Sequence, residues 1–169
     1  MAIKILSEEK GLMCPNCRGV LFNSKGTLDD GSITCEGCDQ NYTVNNQVPS
    51  LVNTESENYR SKKEITDFWQ HLYHAAYKGH DQYDNKALLI KQLNMLEELF
   101  NHRQHLAVTE MPIESLNQKK ILEIGCGAGA HSSFFSVKGA CMTALDITLD
   151  RAHAASKKLN LVDRFENSF

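Results

Sequence analysis

Ile121-Leu122-Glu123-Ile124-Gly125-Cys126-Gly127-Ala128-Gly129, followed further on by Ala144-Leu145-Asp146, sets the class of this chain. Lys120 to Ile124 is a short apolar run after the polar Asn117-Gln118-Lys119, and it fits a buried parallel strand. The glycine run is a turn, helix residues begin at Ala130, and Cys141 to Leu145 reads as a second strand ending on Asp146. The expected unit is β-α-β. Its glycines let the backbone bend sharply and let a ligand come within contact distance of the main chain, which a Cβ would block. A carboxylate at the end of the second strand is placed to accept hydrogen bonds from two ribose hydroxyls.

Taken alone, Gly125-x-Gly127-x-x-Ala130 with an acidic residue some twenty positions on also satisfies a dinucleotide pattern. Glu123 separates the two readings. A carboxylate inside an apolar strand, two residues before the first glycine, is costly unless it meets a cation such as the ammonium of a methionine moiety. A pyrophosphate at that place would be repelled.

These residues resemble the first motif of the class I S-adenosylmethionine-dependent methyltransferases, an apolar strand with an acidic residue and a G-x-G-x-G turn. The resemblance implies that Glu123, Gly125, Cys126, Gly127, Gly129, Asp146 and Ile147 contact S-adenosylmethionine, with Glu123 near its amino-acid end and Asp146 on the ribose. The second position of this turn is often cysteine in that family, where it packs, so Cys126 is read as packing and not as a nucleophile. Cys141 is expected to be buried in its strand.

Ahead of this unit, Cys14-Pro15-Asn16-Cys17 and Cys35-Glu36-Gly37-Cys38 are separated by 17 residues, a spacing typical of four-thiolate zinc sites. Each C-x-x-C curls into a knuckle offering two thiolates, and two facing knuckles complete a tetrahedron with no open position, which makes the zinc structural. Gly19 and Gly37 are read as supplying backbone freedom to the knuckles. Short strands are expected at Val20-Leu21-Phe22, Ser32-Ile33-Thr34, Tyr42-Thr43-Val44 and Val48 to Val52, with Asp29-Asp30-Gly31 as a turn. Roughly fifty residues bury too little apolar surface to fold on that alone, so metal binding is expected to be part of the folding free energy. The cysteine pairs followed by Val48-Pro49-Ser50-Leu51-Val52 look like the zinc-ribbon leader of some methyltransferases, and similar ribbons form separate methyltransferase-activator proteins.

Between the two, Asn53 to Arg60 reads as a linker. Ile65, Phe68, Trp69, Leu72, Tyr73, Ala76 and Tyr77 then fall on one face of an amphipathic helix ending near Gly79, and a second helix runs from about Asn85 to His102 with Leu89, Leu93, Leu96 and Phe100 as its stripe. The aromatic stripe is read as core in preference to a substrate lid. His71 with His74, and His102 with His105, are read as surface histidines because no carboxylate or cysteine stands at matching spacing.

The fold class expected is α/β: a zinc ribbon over residues 1–53, a helical linker or cap over 54–116, and a partial Rossmann-like S-adenosylmethionine domain over 117–169. Leu149 to Leu161 is read as a further helix and Arg164 to Phe169 as the start of a third strand. Only 23 residues follow Asp146, whereas the resemblance implies several more strands, among them the segment that supplies acceptor-binding and catalytic groups. The chain is therefore read as a truncated methyltransferase with its catalytic residues beyond its end.

A net charge of -3 and a pI of 6.1 weigh against DNA, anionic membrane or broad RNA attraction. RNA bases are acceptors of some ribbon-fronted relatives, but the acidic balance favours a small-molecule acceptor over RNA or protein. No run reaches the ~20 apolar residues of a membrane span, and charges in Met1 to Lys10 oppose a signal peptide. The expected compartment is cytoplasmic. Two other readings compete: a zinc-ribbon adaptor without catalytic activity, and an NAD-dependent oxidoreductase, which Glu123 disfavours.

Overall fold

The computed structural model describes residues 13–22, 30–52, 59–77, 86–102 and 113–166. They belong to two compact units, one reaching to Trp69 and the other beginning at Gln70.

The first unit is a small antiparallel sheet in the order β1 (Leu21–Phe22), β2 (Gly31–Cys35), β3 (Asn41–Asn45), β4 (Val48–Pro49). Alternation governs it. In β3, Tyr42 and Val44 point inward while Asn41, Thr43 and Asn45 face solvent, the period-two pattern of a sheet with one covered face. Asn46 and Gln47 join β3 to β4 with φ of 48° and 63°, the left-handed pair that a tight two-residue hairpin requires. The core gathers Leu21, Ile33, Tyr42 and Val44 around Cys14 and Cys35. The expected turn at Asp29-Asp30-Gly31 lies partly outside the described residues.

Helix α1 (Tyr59–Tyr77) spans the boundary between the units, and α2 (Lys86–His102) belongs to the second. Helix α1 starts inside the stretch read as linker. Its stripe is exposed: Ile65 51%, Phe68 61%, Trp69 40% and Leu72 37%, so the periodicity forms the helix but does not bury it. By contrast α2 buries Leu89, Leu96 and Phe100 as its spacing implies.

The second unit continues with a 3-10 turn at Ile113–Leu116, β5 (Lys120–Ile124), α3 (Ala130–Val137), β6 (Cys141–Leu145) and α4 (Leu149–Glu166). Strands β5 and β6 pair in parallel, Ile121 opposite Met142 and Glu123 opposite Ala144. Helices α3 and α4 pack on each other and on β6, and Phe100 of α2 stacks on Phe134 of α3 with centroids 5.1 Å apart.

Three expectations fail here. Strand β5 is parallel but not buried: Leu122 is 56% and Ile124 79% exposed, because among the described residues the two-stranded sheet is covered by helices on one face. Cys141 lies exposed, since it alternates with the half-buried Met142 and Ala144. Arg164 to Glu166 are helical and start no third strand, because Ala155 and Val162, both buried and two turns apart, carry the helical period through Leu161 with no breaker after it.

Candidate functional site

Two clusters carry chemistry, and each lies within one unit. In the ribbon, the Sγ atoms of Cys14, Cys17, Cys35 and Cys38 all lie within 4.8 Å of one another. Cys14 and Cys38 are 3.7 Å apart and Cys17 and Cys35 3.3 Å apart. Tetrahedral zinc with bonds of about 2.3 Å needs sulfurs about 3.8 Å apart. The four cysteines can hold a metal ion, and their dimensions are compatible with zinc.

The knuckles are built by left-handed residues next to the cysteines, but these are Arg18 (φ 63°) and Asp39 (φ 55°). Gly19 is present for space instead: a Cβ there would stand 2.9 Å from Cys35 Sγ and 3.2 Å from Cys17 Sγ. The Gly19 N–H donates to Cys17 Sγ and the Gly37 N–H to Cys35 Sγ, each at 3.3 Å. Tyr42 Oη lies 3.0 Å from Cys14 Sγ in the core. Burial opposes ionisation of Cys14, but Tyr42 and the backbone amides of Cys17 and Asn16 outweigh it and bring the thiol down to about 6. Tyr42 moves the other way: burial first, then Cys14, raise its hydroxyl well above the ordinary phenol range.

In the second unit the glycine turn is fastened at both ends. The Gly125 and Cys126 N–H groups donate to the Leu145 carbonyl at 2.8 and 2.9 Å, tying the end of β5 to the end of β6. Gly125, Gly127 and Gly129 take φ of 74°, 56° and 74°, where any other residue is strained. Cβ positions at Gly125 and Gly127 open onto empty space, whereas one at Gly129 would stand 2.8 Å from Ala155 Cα of α4. The first two glycines leave room beside the turn; the third lets α3 and α4 close on each other.

Asp146 accepts the Gly127 N–H on Oδ2 and both the N–H and hydroxyl of Thr148 on Oδ1, each at 2.9 Å. Oδ1 is filled by Thr148, so Oδ2 retains capacity for a further donor. Glu123 faces α3, where the Ser132 hydroxyl donates to Oε2 and His131 Nδ1 lies 3.7 Å from Oε1. Burial pushes the Glu123 carboxyl up, but the neighbouring His131 ring and the Ser132 hydroxyl more than offset this and hold it below its ordinary range. Its cost inside an apolar strand is therefore met within the chain itself.

Cys126 is 7% exposed. Burial first, then the charges of Asp146 and Glu123, push its thiol up to about 12, so it stays neutral and is a poor nucleophile. Ile147, beside Asp146, is 50% exposed. The four cysteines are the only convergent group of three or more metal-ligating side chains among the described residues. His71 does not join His74, which pairs instead with Asp150 of α4 at 2.9 Å; the His102 and His105 side chains lie outside those described.

Sequence reasoning missed Tyr42, Ser132, His131 and Thr148. Thr148 was within reach, because Asp-x-Thr is a local turn pattern in which the carboxylate meets the backbone two residues on. The other three meet their partners only through tertiary packing. Neither protein-family models, nor curated proteins, nor solved structures match this chain, so its functional reading rests on its own geometry.

Proposed function

We propose that the chain is an S-adenosylmethionine-dependent methyltransferase, or a portion of one, with structural zinc in its ribbon. One observation carries the reading. The carboxylates Glu123 and Asp146 bracket a turn whose Gly125 and Gly127 leave open space beside the main chain.

That arrangement suits a ligand with a cation at one end and hydroxyls at the other. The glycine turn would admit the ligand against the backbone, Glu123 would receive the amino group, and Asp146 Oδ2 would accept a ribose hydroxyl while Oδ1 stays with Thr148. S-adenosylmethionine, once bound, supplies an electrophilic sulfonium methyl. Positioning then supplies most of the acceleration, and neutral Cys126 packs beneath the turn without taking part. The acceptor is proposed to be a small molecule in preference to RNA or protein.

Calorimetric titration of S-adenosylmethionine into the zinc-loaded chain tests this, with Asp146→Ala and NAD as controls. Binding by the wild type, lost in D146A and absent for NAD, is expected. Heat with NAD alone would favour the oxidoreductase reading. No heat with either, while one zinc stays bound, would favour an adaptor that docks through the exposed β5–β6 face of Leu122, Ile124 and Leu145.

A further inference from the structure

We infer that Tyr42 is a positioning residue of the four-cysteine centre: its hydroxyl donates to the Cys14 sulfur and holds that ligand in a low-charge, unreactive state. The inference rests on the zinc assignment proposed above.

The direction of the bond follows from the chemistry of a metal ligand. A zinc-bound cysteine is a thiolate with no proton to give, so at 3.0 Å the phenol must be the donor. Placement follows from β3. Tyr42 stands opposite Ile33 in the sheet and points to the buried face with Val44. Tyr42 is 2% exposed and Cys14 1%, so water cannot substitute for the phenol.

The need for that donor is electrostatic. Four thiolates around a dication leave a net charge of about -2, and the part carried by Cys14 lies in the ribbon core, where uncompensated charge is expensive. Cys17 and Cys35 receive backbone amides from Gly19 and Gly37, and Cys17 and Cys38 are exposed to water. Cys14, buried in the core, has the Tyr42 hydroxyl at 3.0 Å. A hydrogen-bonded thiolate is a weaker nucleophile, so the same bond that favours the metal complex makes this buried ligand less reactive toward electrophiles.

The test is Tyr42→Phe, which keeps the ring in the core and deletes the hydroxyl, compared with the wild type after loading with zinc and, separately, cobalt. Expected are one metal per chain in both, about ten-fold weaker zinc binding in Y42F by chelator competition, faster zinc release on treatment with N-ethylmaleimide, and a shift of the sulfur-to-cobalt charge-transfer band to lower energy. That band reports electron density on sulfur, which a purely packing role for Tyr42 would not move. Wild-type zinc binding with an unchanged band and affinity in Y42F overturns the inference alone. A wild-type chain that takes up no zinc overturns the metal assignment with it. Should Y42F fail to fold, the cadmium-loaded wild type decides: a scalar coupling between the Tyr42 hydroxyl proton and 113Cd supports the bond, and its absence in a slowly exchanging hydroxyl overturns it.

Discussion

Gly125 and Gly129 share a left-handed backbone but not a reason for being glycine. Substituting Gly125→Ala meets open space and costs about 1–2 kcal/mol for the backbone alone. Gly129→Ala adds an overlap at 2.8 Å with Ala155, and the two effects together should exceed about 2 kcal/mol. Urea unfolding of the two variants should rank G129A clearly below G125A. Glu123 gives a pH signature. Its folded-state pKa lies below the ordinary value of about 4.3, so its stabilising contribution is present above that pH and is lost as pH falls through the folded-state value. Glu123→Gln should flatten the acid limb of a stability-against-pH curve and leave its slope near neutrality unchanged.

The ribbon and the helices draw stability from different sources. Strands β1 and β4 are two residues long each, and the core that unites the sheet contains two of the four cysteines. Such an element cannot hold on apolar contacts alone, and a metal ion on the four cysteines would supply the difference. Removing zinc with a strong chelator should abolish the near-ultraviolet dichroism of Tyr42 while far-ultraviolet helix signal from α2, α3 and α4 persists; loss of both together would show that the second unit depends on the first. Helix α2 was legible from spacing because its stripe finds Phe134 of α3. Helix α1 has an equally regular stripe but exposes it, since amphipathicity states what a helix can bury and not what stands opposite.

Within the second unit, apolar surface among the described residues is divided unevenly between a packed face and a bare one. Phe134 is 1% exposed in a cluster with Leu96 and Phe100, whereas Ile124 is 79% exposed on the β5–β6 sheet. Phe134→Ala should cost about 3–5 kcal/mol, and Ile124→Thr should change stability by less than about 0.5 kcal/mol while lowering the binding of an apolar fluorescent dye. Equal losses on denaturant unfolding would show that the sheet face is covered in solution. No described helix is long and apolar enough to cross a membrane.

Local order alone determined the paired C-x-x-C knuckles, the short ribbon strands and the β-turn-α-β succession from Lys120 to Leu145, because each depends on backbone geometry within a few residues of a cysteine, glycine or alternation. Tertiary structure decided what those residues meet: Tyr42 on the Cys14 sulfur, Ser132 and His131 on Glu123, Asp150 on His74, and the exposed face that leaves Cys141 and Ile124 in solvent. Each of these contacts joins different elements, and its existence is set by how strands and helices pack, a property that spacing along the chain does not encode.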